Sequence, residues 1–127
     1  MTKWMIGLSA LALAGCAVTP EYPWPSEAAA RADFVGGVRF SNGEFQLYAD
    51  QDQVLQPFSR PCLSGAASRD EMRQAVQDLG GQKVTISGQL APWSQAVRGR
   101  IEHRGSDIRN DCGGRNVLLA DDIRPAS

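Results

Sequence analysis

One stretch of this chain, residues 68 to 81, carries a helical pattern, and nearly every other patterned stretch alternates with a period of two. Ser68-Arg69-Asp70-Glu71 has the form of a capping box, in which the serine hydroxyl and the glutamate carboxylate each satisfy an orphan backbone amide. Met72, Ala75, Val76 and Leu79 follow at helical spacing and make one apolar stripe that should face a core. Gly80-Gly81 ends the helix, where glycine can adopt positive φ. Upstream, 34–40 and 44–49 flank Ser41-Asn42-Gly43, and Asn-Gly between alternating segments predicts a tight hairpin. Phe45, Leu47 and Ala49 should share its inner face, with Gln46 and Tyr48 outside. Residues 53–58 form a weaker extended piece; Pro57 and Pro61 suggest an edge strand or an irregular loop.

Downstream of the helix, Val84, Ile86, Gly88 and Leu90 alternate with Lys83, Thr85, Ser87 and Gln89, the pattern of a half-buried strand. Gly88 marks a bulge or sharp coil in it. Residues 97–103 predict a further strand with Val97, Gly99, Ile101 and His103 on one face. Residues 116–123 predict the last. Its run Val117-Leu118-Leu119-Ala120 is apolar on both faces, so it should be central. Five or six strands with one helix between the third and fourth is the order of a small OB-like β-barrel. The expected fold class is therefore mainly β with one helix (α+β), an OB-like barrel or a sandwich, in a single domain over residues 33–127.

The amino-terminal end follows a different logic. Lys3 is followed by 11 uncharged, mostly apolar residues, 4–14, and then by Gly15 and Cys16. This is the order of a secretory signal peptide, and the run is shorter than the roughly 20 apolar residues of a membrane span. Leu13-Ala14-Gly15-Cys16 resembles the lipobox of bacterial lipoproteins at all four positions. The resemblance implies a leader over residues 1–15, cleavage before Cys16, diacylglycerol on its thiol and acylation of the new amino terminus. Two or three acyl chains would hold the protein on the membrane stably, where one holds only marginally. Ala17 rather than Asp after the cysteine implies the outer membrane, facing the periplasm. Residues 16–32 then read as the lipidated cysteine and a tether, with Pro20, Pro23 and Pro25 favouring an extended chain of about 3.1 Å per residue. Tyr22 and Trp24, set between the prolines, would rest at the lipid headgroups or pack on the domain.

Assigning Cys16 to lipid leaves Cys62 and Cys112. In an exported chain a disulfide between them is the expectation. It would close a loop for which the chain-entropy model gives about 4 kcal/mol. A free thiol or a metal pair is the alternative, and a single histidine with no CxxC motif disfavours zinc. The 13 lysines and arginines, less Lys3, face 14 acids in the mature chain. So weak a balance gives no general attraction to nucleic acid or anionic lipid.

Candidate site residues gather late in the chain. Arg98, Arg100, Arg104, Arg109 and Arg115, interspersed with glycines, could grip carboxylate or phosphate groups such as those of cell-wall peptides or lipopolysaccharide. Against this, Glu102, Asp107 and Asp111 can pair with them locally. His103 would need a nucleophile and an orienting partner to be catalytic. Ser64 lacks the Gly-x-Ser-x-Gly elbow of the esterases, and residues 61–66 read as a tight turn leading into the helix cap. The triplet Ser64-Gly65-Ala66 resembles the inhibitory loop of lipid-anchored lysozyme inhibitors, although the capping box directly after it departs from that pattern. No metal site, cofactor or catalytic set is expected. The sequence thus predicts a membrane-anchored binding module of the bacterial envelope, with membrane lipid through Cys16 and an envelope protein or cell-wall component as partners. The alternatives are an inhibitor of a cell-wall hydrolase and a small enzyme using His103.

Overall fold

The computed structural model describes Trp24, Pro25, Glu27 and residues 29–126. The leader, the lipobox and most of the tether lie outside the described residues. Among the described residues seven strands and one α-helix follow in order: β1 (Arg31–Ser41), β2 (Glu44–Tyr48), β3 (Leu63–Ala66), α1 (Arg69–Leu79), β4 (Lys83–Pro92), β5 (Ile101–His103), β6 (Ser106–Ile108) and β7 (Asn116–Pro125). Five of them close into a barrel in the order β1-β2-β3-β7-β4, while β5 and β6 form a separate two-stranded sheet. Every barrel pairing is antiparallel except β3 with β7. Together with α1 between the third and fourth barrel strands, this is the topology of an OB-like barrel.

The hairpin at 41–44 forms as expected, with Asn42 at φ 56° and Gly43 at φ 83°, the two positive values that a tight two-residue turn requires. β7 is central, paired with β3 on one side and β4 on the other. Gly88 does mark a bulge: Ser87 pairs with Asp122 but Gly88 pairs with Ala120, so Asp121 is looped out. A β-carbon on Gly88 would lie 2.4 Å from the Leu119 carbonyl oxygen, which is why no side chain fits there. Phe34, Phe45, Leu47, Leu63, Val84, Ile86, Leu90 and Leu118 fill the barrel. Met72, Ala75 and Leu79 of α1 close one end of it.

Five local expectations need correction. Residues 51–55 form a 3-10 turn (Gln51–Leu55), because Asp50 caps it through Asp52 N at 3.0 Å and the Gln53 side chain bonds back to Asp50 N. Residues 63–66 are β3 rather than a turn; small residues let this strand slip between β2 and β7. The strand expected over 97–103 is reduced to 101–103, since Arg98 and Gly99 both take positive φ and turn the chain between Val97 and Arg100. The capping box is half made: Ser68 Oγ accepts from Glu71 N at 3.2 Å, but the Glu71 carboxylate instead accepts from Ile123 N at 2.6 Å and ties α1 to β7. Finally, β2 is buried on both faces, and Ala49 is exposed. Trp24, which had two possible resting places, packs against the barrel core with its indole N–H directed at the Val35 carbonyl.

Cys62 and Cys112 are joined, with their Cα atoms 5.3 Å apart across 50 residues of sequence. They cluster with Tyr48 and Val54 outside the barrel proper.

Candidate functional site

OB barrels offer ligands the outer face of their second and third strands, flanked by the loops after the first and fourth. That face is sealed in this chain. Gln46 and Tyr48 of β2 and Ser64 of β3 point away from the barrel interior, yet each is fully buried, as is Glu44. What covers them is the strap over residues 101–114, comprising β5, β6 and the loop to Gly114, which is inserted between the fourth and fifth barrel strands, with Val54 and Cys62 completing the cover over Tyr48.

The strap is fastened at successive points. Ser106 Oγ donates to the Ala67 carbonyl at 2.7 Å. Glu44 receives three consecutive backbone amides: Oε1 accepts from Arg109 N at 2.6 Å and Asn110 N at 2.9 Å, and Oε2 accepts from Asp111 N at 3.1 Å. Gln46 Nε2 donates to the same carboxylate at 2.9 Å. The positive φ of Asn110, 62°, curls these amides into an anion nest. Ser64 Oγ then accepts from Cys112 N, Arg60 donates to the Asp111 and Cys112 carbonyls, and the disulfide completes the closure. Asn110-Asp111-Cys112-Gly113-Gly114 forms a structured turn beside the disulfide, with Asn110 bonded to Gly114 in both directions.

The strap and α1 leave a groove between them. At its tip the strap meets the start of the helix, where Arg69 N and Arg69 Nε donate to the carbonyls of Arg104 and Gly105. The groove holds about 600 Å³ and is bounded by the 41–44 hairpin turn, by α1 and by residues 105–107 and 109 of the strap. Phe40, Met72 and Val76 supply its apolar surface, and Arg69, Arg73 and Arg109 its cations. A smaller hollow of about 250 Å³ continues along α1 from Phe40 and Val76 to Gly80 and Gly81. Val76 is the anomaly of the helix. It belongs to the apolar stripe by spacing, but its neighbours Met72, Ala75 and Leu79 are buried while it is 51% exposed. The stripe is wider than the surface the barrel covers.

The five arginines singled out in the sequence do not form one site. Arg98 and Arg100 line a different hollow with Val97 and Ile101. Arg100 faces Asp107 at 3.6 Å and Arg104 faces Asp121 at 3.8 Å, so local pairing takes up both. Arg115 is exposed, and its carbonyl accepts from Trp93 N. Arg109 alone of the five reaches the groove, and there it joins Arg69 and Arg73 of α1. The signal was available: positions 69, 73 and 76 share one helical face, and that face carries an apolar residue beyond the needs of a core.

His103 Nε2 lies 2.9 Å from the Ala120 carbonyl, at the bulge, where it helps dock the strap on β7. Ser64 is a buried strand residue whose hydroxyl accepts from Cys112 N. The whole Ser64-Gly65-Ala66 triplet is likewise buried, so it does not project as a loop. Beside His103, the Asp121 carboxyl is held below the usual carboxylate range, chiefly by its hydrogen bond to Arg31 and against partial desolvation, with the charges of Arg31, Arg104 and His103 adding to the effect. Among the described residues no group of three or more His, Cys, Asp or Glu is arranged to hold a metal, and no helix is long and apolar enough to cross a membrane. Comparison with protein-family models, with curated proteins and with solved structures returns no match to this chain.

Proposed function

We propose that this chain is a lipid-anchored binding module of the bacterial envelope. In this reading Cys16 carries the anchor, the proline-rich segment after it is a spacer, and the groove along α1 is the binding face. The observation that carries it is Val76, a member of the helix's apolar stripe that stands half-exposed beside Phe40 with arginines on the rim. A face of this composition, apolar at the centre and charged at the edge, is that of a protein-recognition surface. The sealed β2–β3 face argues in the same direction, since it removes the surface on which an OB barrel would receive a polymer.

The experiment is photocrosslinking in intact envelopes, with the crosslinker placed at Val76 or, as a control, at the more exposed Val97 in the hollow lined by Arg98 and Arg100. The expected result is a discrete protein adduct at Val76 only, lost when Cys16→Ala releases the chain from the membrane. Adducts of the same pattern at both positions, or none at Val76, would refute the assignment of the binding face. An adduct with a cell-wall hydrolase, joined by stoichiometric loss of its activity, would narrow the module to an inhibitor.

A further inference from the structure

We infer that the groove is built for an acidic, apolar segment of a partner protein, laid along α1 with its carboxylates at the amino-terminal end of the helix. The inference rests on the binding-face reading above and adds the chemistry of the occupant. Three arginines converge on that end of the groove, and the two acids on its wall, Glu44 and Asp107, are paired with other groups. Asp107, on the wall, faces Arg100 on the other side of the strap. Glu44, also on the wall, spends its carboxylate on three strap amides and Gln46. Asp70, off the wall, pairs with Arg73 at 3.5 Å, but both side chains are more exposed than those of the Asp107–Arg100 pair at 3.6 Å, so water and salt screen it more. Arg69 uses Nε to hold Gly105 and leaves the outer nitrogens of its fork available. The groove is therefore cationic at one end although the chain as a whole carries a net charge of −1.

The apolar part has a direction. From the arginines it passes Met72, Phe40 and Val76 and runs on to Gly80 and Gly81, where Arg39 also lines it but spends its guanidinium on the Val54 and Gln56 carbonyls. An 11-residue helix is about 16 Å long. That length matches about five residues of extended chain or a helix as long as α1 itself. An open channel of this form suits a peptide that lies in it, with apolar anchors followed by carboxylates. A free acyl chain would need an enclosed apolar cavity, and the groove opens to solvent beside its arginines. The barrel itself is closed, so a segment cannot add to it as a further strand, and side-chain contacts in the groove must supply the recognition.

The test uses the full chain in lipid nanodiscs and a displayed library of random 12-residue peptides. Sequences enriched on the native chain should combine Asp or Glu with apolar residues. Their affinity should fall about ten-fold or more in Arg73→Gln/Arg109→Gln, fall further in Val76→Asp, and weaken as salt is raised. Both arginines are exposed and neither is needed for the fold, so the double variant should keep the native circular dichroism and melting temperature. Enrichment of basic or uncharged peptides, no enrichment, or affinity unchanged by the arginine variant would overturn the inference. So would tighter binding to phosphatidylglycerol vesicles than to any peptide, or a concentration-dependent dimer abolished by Val76→Asp. A discrete crosslink at Val76 in envelopes without acidic-peptide selection would overturn the ligand class while leaving the binding face intact. Loss of both would remove the binding face as well.

Discussion

Glu44 shows how one residue can decide whether the sealed face exists. Its two oxygens are matched to four donors, two at each oxygen, so no lone pair is wasted. Glutamine has nearly the same shape but offers one NH2 in place of an oxygen. In either orientation that group would face two N–H donors. We expect Glu44→Gln to destabilise the fold by about 2 kcal/mol, within the range for leaving buried donors unpaired. Denaturant melts read the loss, and amide exchange at 109–111 should rise ahead of the barrel strands. A Glu44→Gln protein that melts like the native one would show that the nest is not what holds the strap. Asp121 gives a second, smaller test. Its pKa is depressed in the fold by Arg31, so the stability it contributes is present above its unfolded value of about 3.9. That contribution is lost as the pH falls through the lower, folded value. Asp121→Asn should therefore flatten the acid limb of the stability profile below about pH 4 and change little at pH 7 beyond the loss of a partly exposed pair, about 1 kcal/mol or less.

At the scale of elements, the disulfide and the strap behave as one unit. Cys62 directly precedes β3 and Cys112 lies near the end of the strap, so the bond anchors the insert on the face it covers. Cys62→Ser and Cys112→Ser should each cost about 4 kcal/mol by the loop-entropy argument, equally, because either removes the same closure. Unequal losses in urea titrations would mean that one thiol has a packing role of its own. The elements readable from sequence were those whose local pattern agreed with their tertiary setting: the Asn42-Gly43 turn, α1, the alternation of β4 and its bulge at Gly88. Those that escaped were set by context. β3 is four residues of mostly small side chains, and only its two partners make it a strand; a β-carbon on Gly65 would lie 2.3 Å from the Leu118 carbonyl oxygen. β6 was hidden among arginines and glycines, where charge drew attention from Ile108, now fully buried. The outward residues of β2 were read as exposed because alternation reports two faces but not what lies over them. The candidate site was legible only in part for the same reason: Arg109 was singled out for its neighbours in sequence, while Arg69 and Arg73 reach it through the fold.

Across the whole molecule, the insert converts an architecture suited to holding a polymer into one that cannot receive it on the usual face. For a single strand or a glycan to lie on β2 and β3, the strap would have to lift. That would break its contacts with Glu44, Ser64 and Ala67 and leave the disulfide as a tether. Each buried hydrogen bond lost without a replacement costs on the order of 1 kcal/mol or more, and the charge-assisted bonds to Glu44 cost more than neutral ones. A ligand would have to recover all of this before showing any affinity. The chain's net charge of −1 adds no attraction for a polyanion. We therefore expect neither oligothymidylate nor cell-wall oligosaccharides to shift the amide resonances of β2 and β3 at millimolar concentration, whether Cys62 and Cys112 are joined or reduced. If reduction alone admitted either polymer to that face, the disulfide rather than the Glu44 nest would be the lock. The strap would then be a redox-controlled cover instead of a permanent part of the fold. If the face stays closed in both states, recognition is left to the surface that the strap and α1 create together, where Val76 remains only half covered.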